Sequence, residues 1–175
     1  GKYGVIKRDG NIVIPAEYDF VQVPNQDKEI FIVVSDGKYK VFNASKQELY
    51  TDFEEVSGIQ ETANADDSVY NNSVLKYKEN NKYGLLDFDG NKVTDAEYDE
   101  ISSLQDKYGE ILVKKNDKYG VINIKGVQLV SCKYDYAEDF ENGLAKVGLY
   151  NGTDEDGDSL YLYGLINTNG KEIVS

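Results

Sequence analysis

Apolar residues along the chain come in short runs divided by polar or glycine-bearing turns, and the runs recur. Val5-Ile6, Val41-Phe42, Leu85-Leu86, Val121-Ile122 and Leu165-Ile166 each follow the tripeptide Lys-Tyr-Gly or a degenerate form of it. The tripeptide is intact at Lys2, Lys82 and Lys118, and altered at Lys38-Tyr39-Lys40 and Leu162-Tyr163-Gly164. A turn comes next, at Asp9-Gly10, Asp89-Gly90, Lys125-Gly126 and Asn169-Gly170. A second apolar run then leads into an aromatic-acid pair, at Tyr18-Asp19, Phe53-Glu54, Tyr98-Asp99 and Tyr134-Asp135. Short runs bounded by such turns predict β-hairpins, with the turn glycine supplying a positive φ. The second copy has Ala44-Ser45-Lys46 at its turn, which predicts a distorted hairpin.

The marker tyrosines fall at 3, 39, 83, 119 and 163, alternately 36 and 44 residues apart. Self-similarity at such a period is the signature of a repeat architecture. The extra length of the even copies falls between the aromatic-acid pair and the next marker. A third strand is clearest in Ile30 to Val34, Ile111 to Val113 and Leu144 to Val147. Ile30 to Val34 is apolar at successive positions, whereas a strand with one face in water alternates. Sheets of neighbouring repeats are therefore expected to cover one another. The predicted fold is all-β, with tandem hairpin or three-stranded units packed as a solenoid-like or propeller-like array. It forms a single array of repeats at 1–36, 37–80, 81–116 and 117–160, with a half unit at 161–175.

Composition narrows the functions. The chain has 15 Tyr and 6 Phe but no Trp, Met or His. Its 32 acids against 19 bases give a net charge of −13, and no basic run exceeds two residues. Nucleic-acid binding needs clustered Lys and Arg, so it is not expected, and direct membrane insertion is disfavoured as well. Such a charge favours a soluble monomer. Cys132 is the one cysteine and reads as a small core hydrophobe. The chain begins with Gly inside a repeat, and the expectation is a segment whose leader or anchor lies elsewhere.

The repeat resembles the WG (KWG) repeat of bacterial proteins. Residues 1–19 carry the resemblance through Gly1-Lys2-Tyr3-Gly4-Val5-Ile6, Asp9-Gly10, Val13-Ile14-Pro15 and Tyr18-Asp19, and residues 113–135 repeat it. The signature Trp is Tyr at all five positions. The resemblance implies a bacterial β-repeat module, extracellular or at the cell surface with a cytoplasmic home left open, and it points to no reaction.

Without His there is no Ser-His-Asp triad and no His-based zinc site. The acids Glu17, Asp19, Glu97, Asp99 and Asp135 recur with the repeat, which argues against a unique catalytic pair, and the Asp after each Tyr suits turn capping better. The chain is accordingly expected not to be an enzyme and to need no cofactor, with calcium the one exception considered. Asp154, Asp156 and Asp158 alternate as the first ligands of a calcium loop do. Ser159 stands where that loop needs Gly, and Leu165 where it needs Glu. A solvated hairpin tip is the competing reading. Tyr70, Tyr150 and Tyr161 lie in or beside the two long insertions, flanked by acids and amides, and are candidates for gripping a protein or glycan. The expected function is a non-catalytic interaction module. The alternative is a structural spacer within a larger protein.

Overall fold

The structure is a computed structural model that describes residues 1–25, 27–61 and 69–174, without the side chains of 61, 69–72, 104, 105 and 174. Every regular element among the described residues is a strand. They group into two compact bodies, residues 1–59 with 70–96 and residues 60–69 with 97–175.

In the first body, β1 (Tyr3–Ile6) and β2 (Ile12–Tyr18) form a two-stranded sheet. β3 (Phe20–Asn25), β4 (Ile30–Ser35), β5 (Lys38–Phe42) and β6 (Glu48–Phe53) form an antiparallel meander. β7 (Glu55–Glu61), β8 (Val69–Glu79) and β9 (Lys82–Asp87) follow in the same order, with Gln60, Glu61 and Val69 belonging to the second body. In the second body, β10 (Glu100–Gln105), β11 (Glu110–Lys115), β12 (Lys118–Asn123) and β13 (Gln128–Tyr134) make another meander. Its β10 also meets Gln60 and Glu61 in parallel. The last meander is β14 (Tyr136–Ala137), β15 (Leu144–Thr153), β16 (Ser159–Asn167) and β17 (Glu172–Val174).

Each complete sheet is offset from the sequence repeat. It starts just after one aromatic-acid pair and runs to the next, so two strands come from one repeat and two from the following one. The tripeptide strand (β5, β9, β12, β16) lies between the end of the preceding repeat and its own hairpin partner, except that β9 has no strand partner after it. There, Lys92 makes only an isolated bridge to Leu86. Thr94 stands in for the missing ladder, its Oγ1 accepting the Leu85 amide at 3.0 Å.

Core placement follows from β4. Ile30 and Ile32 pack with Val41, Tyr50, Phe53, Leu75, Tyr77 and Leu86. The intervening Phe31 and Val33 pack with Val13 and Ile14. Period-two alternation sends neighbours to opposite faces, so β4 is buried on both, as its unbroken apolar run predicts. The second body centres on Leu112, Val121, Val130, Tyr134, Phe140, Val147 and Ile166.

The tripeptide glycine is needed for space rather than for a positive φ. A Cβ on Gly4 would lie 2.5 Å from the Ile14 carbonyl oxygen, and one on Gly120 would lie 2.7 Å from that of Val130. The crowding accompanies two extra residues in the partner strand: Tyr119 faces Tyr134, while Val121 faces Val130. The second repeat has one extra residue there instead of two, since Tyr39 faces Phe53 and Val41 faces Tyr50. Lys40 takes the glycine's place there and reaches Glu48 at 3.1 Å.

The shortening thus falls in β6, where Asp52 has φ 63°, and not in the turn. The expected distortion of this hairpin is not found. Asn43 Oδ1 accepts the Ser45 and Gln47 amides at 3.0 Å each, as Asn123 does for Lys125 and Val127. Lys46 adopts the left-handed conformation, φ 61°, that glycine holds in the other turns.

Candidate functional site

The recurring acid ties consecutive hairpins together. The Asp19 amide donates to Val34 at 2.8 Å, and its Oδ2 accepts the Asp36 amide at 3.2 Å. Asp99 does the same with Lys114 and Asn116, Asp135 with Gly148 and Tyr150, and Glu54 with Lys78 and Asn80. Lys2 sits 2.7 Å from Asp19, and Lys118 pairs with Asp135. The hydrogen bond from the lysine is the main cause holding the Asp19 and Asp135 carboxyls below their usual range. These acids hold turns, as their recurrence implies.

Both insertions fall between an aromatic-acid pair and the next marker, yet they extend different loops. In the second repeat the extra length lies between β7 and β8 and includes residues 62–68, which are outside the described residues. β8 and β9 are then joined by the tight turn Asn80-Asn81, both residues left-handed. In the fourth repeat the length extends the β15–β16 hairpin itself. Marker spacing counts residues without saying which loop holds them.

That long hairpin carries the candidate site. Residues pair in step from Leu144↔Asn167 to Tyr150↔Tyr161. Alternation puts Tyr150, Gly148 and Lys146 on one face with Tyr161, Tyr163 and Leu165. Tyr136 of β14 pairs with Gly148. A Cβ on Gly148 would come within 3.2 Å of both Tyr136 and Tyr163, so this glycine lets the two rings meet, at 5.5 Å and 83°. Tyr161 lies 5.8 Å from Tyr163, 6.0 Å from Tyr136 and 6.1 Å from Tyr150. Tyr150 and Tyr163 keep 51% and 47% of their surface in solvent.

Lys146 Nζ stands 4.3 Å from the Tyr163 ring centre and 5.5 Å from that of Tyr136. The Tyr136 hydroxyl donates to Glu138 at 2.6 Å, and Lys146 approaches the same carboxylate at 3.4 Å. That hydroxyl is the first cause lowering the Glu138 pKa, and the same bond raises the Tyr136 phenol. Beside this face, Glu138 also lines a cleft of about 370 Å³ with Glu100, Ser102, Lys114, Tyr119 and Asp139.

Of the tyrosines singled out from sequence, Tyr150 and Tyr161 thus come together, while the Tyr70 side chain lies outside the described residues. Tyr136, Tyr163, Lys146 and Glu138 were missed. The signal was Tyr161-x-Tyr163, a period-two pair on a strand. The marker tyrosines are also less buried than core packing would require, Tyr3 being 60% exposed. Tyr98 and Tyr134 of the aromatic-acid pairs are buried, as are Tyr50 and Tyr77, and burial pushes the Tyr98 phenol up to about 12.

Asp154, Asp156 and Asp158 are not gathered around a point. Asp154 Oδ1 accepts the Asp156 and Asp158 amides at 3.0 and 2.8 Å, the same capping pattern that Asn43 and Asn123 show. Among the described residues no three His, Cys, Asp or Glu side chains form a group able to hold a metal ion. Cys132 is half-buried and its thiol is raised by burial.

The family model described as WG containing repeat matches residues 3–39, 83–119 and 119–152. The matched stretches pass over most of the second repeat, the one with Lys40 in place of glycine. No curated protein matches the chain. Among solved structures, the crystal structure of Kluyvelomyces marxianus Hsv2 is similar at 12% identity and a TM-score of 0.38, over 85% of this chain and 58% of that one. This chain therefore spans little more than half that protein's length, and the likeness carries no argument.

Proposed function

The chain belongs to the WG containing repeat family, and on that footing we propose that it is a non-catalytic interaction module that takes a glycan on the tyrosine face of the β15–β16 hairpin. The observation that carries this reading is the cluster of Tyr136, Tyr150, Tyr161 and Tyr163, packed ring to ring with two members half in solvent. Aromatic faces present rigid area to a ligand at little entropic cost. Lys146 and Glu138 add a donor and an acceptor at one end of the row, as sugar hydroxyls require.

A glycan array probed with the chain tests the reading. Tyr150→Ala and Tyr161→Ala are each expected to weaken the leading hit about tenfold. No hit, or hits indifferent to both changes, overturns it. The spacer alternative draws on the repeated acid clamp, which fixes one hairpin against the next. It gains if the array stays blank while the chain remains folded.

The array type, propeller-like or solenoid-like, is part of the proposal, and small-angle scattering separates a compact disc from an elongated particle. Display outside a bacterial cell completes it, and cell fractionation of the source organism checks that.

A further inference from the structure

The turn between β10 and β11 closes on two acids. The Asp106 amide donates to the Glu110 carbonyl at 3.2 Å, and the Gly109 amide donates to the Asp106 carbonyl at 2.8 Å. Side chains of such a facing pair stand next to each other on one side of the hairpin. Both are buried, Asp106 keeping 3% of its surface in solvent and Glu110 8%. Asp106 Oδ2 accepts the Gly143 amide, from the loop before β15, at 2.8 Å. Glu110 Oε2 accepts no hydrogen bond among the described residues. Nor does any Lys or Arg among them form an ion pair with either carboxylate. Lys107, the base within the turn, lies over the Tyr108 ring at 5.1 Å.

The repeat itself does not call for this pair. Tyr39 and Tyr119 mark equivalent places 80 residues apart, and on that spacing Ile30 holds the place of Glu110. Ile30 sits in the apolar core of the first body. An acid where the framework uses a core isoleucine is costly unless an opposite charge meets it. Two neighbouring buried carboxylates, one with an orphaned oxygen, mark the place of an ion or a proton. Hard cations take carboxylate oxygens together with main-chain carbonyls and water. Both the turn and the facing loop supply such carbonyls, so a third acid is not required.

We propose that Asp106 and Glu110 hold one calcium ion between the β10–β11 turn and the loop at 140–143. The two carboxylates are its anionic ligands, with Glu110 Oε2 turned to the metal. The ion neutralises the pair and, with the Asp106 bond to Gly143, fastens one sheet to the next within the second body. Magnesium is the poorer fit, because it demands near-ideal octahedral geometry and gives up water reluctantly.

The experiment is calorimetric titration of calcium chloride into the chelator-treated full chain, with thermal melts in parallel. One equivalent should bind with a dissociation constant on the order of 10⁻⁴ M. Calcium at ten times that level should raise the melting temperature by about 3 °C. Glu110→Gln keeps the shape and removes the charge. It should melt above the unaltered chain in chelator, yet bind calcium more than about tenfold more weakly. Asp106→Asn, whose amide oxygen still accepts the Gly143 amide, should weaken calcium binding as much. Asp154→Asn, at the tip of the long hairpin, should bind calcium as the unaltered chain does. Neither heat nor a rise in melting temperature for the unaltered chain overturns the proposal and leaves the pair to a proton. Binding that survives both Glu110→Gln and Asp106→Asn, or that Asp154→Asn abolishes, puts the ion elsewhere and overturns it too.

Discussion

The Asp99 carboxylate accepts the backbone amide of Asn116 at 2.7 Å, joining the middle of the third repeat to the turn at its end, 17 residues on. A charge-assisted bond to a left-handed turn residue fixes a conformation that side chains at that position otherwise resist. Asp99→Ala should lower stability by about 1–2 kcal/mol in urea unfolding. Asp99→Asn should recover part of that loss, since an amide oxygen still accepts.

The tripeptide glycine and the bulged partner strand go together. Gly120→Ala would place a Cβ within 2.8 Å of Cys132 Sγ and 2.7 Å of the Val130 oxygen, and should cost about 1–3 kcal/mol by calorimetry. Lys40→Ala changes the equivalent position in the second repeat, where the partner strand has one extra residue instead of two, and should leave the melting temperature close to that of the unaltered chain.

Lys46 holds φ 61° in a turn where other repeats use glycine. Lys46→Gly relieves that strain while loosening the unfolded chain. The net gain expected is small, up to about 1 kcal/mol, and is read from the urea midpoint.

Stability should fall at both ends of the pH range, for different residues. Asp19 and Asp135 have lowered pKa values in the fold, chiefly through Lys2 and Lys118. Their contribution is present above the ordinary carboxyl value of 3.8 and fades as pH falls through the lowered ones. Glu110 behaves oppositely. It is buried, its Oε2 has no hydrogen-bond partner among the described residues, and burial raises its pKa above 4.5. Its contribution is full below 4.5 and is lost as pH rises through the raised value. Glu110→Gln should therefore melt higher than the unaltered chain at neutral pH, with the difference shrinking toward pH 4. Melting curves across the pH range read both limbs.

Much of this was legible in the sequence. The repeat, the hairpins and the turn-holding role of Asp19, Asp99 and Asp135 follow from residues that recur at fixed spacing. The doubly buried β4 follows from an unbroken apolar run. The offset of the sheets was not legible, because similarity marks what repeats and not which edges pair. Thr94 escaped for a related reason: a hydroxyl replacing a ladder bond leaves no periodic trace. Tyr163 was assigned to the framework by its register, although its ring belongs to the cluster that Gly148 makes possible. The loops that hold the two insertions were not legible, because chain length between markers does not say which loop takes it up.

The offset between repeat and sheet also bears on how such a gene can change. Removing or copying one repeat joins the two strands that end one copy to the two that begin another. That join regenerates a whole four-stranded sheet instead of exposing a cut one. Array length can therefore drift between lineages through unequal recombination, with no new junction for selection to repair.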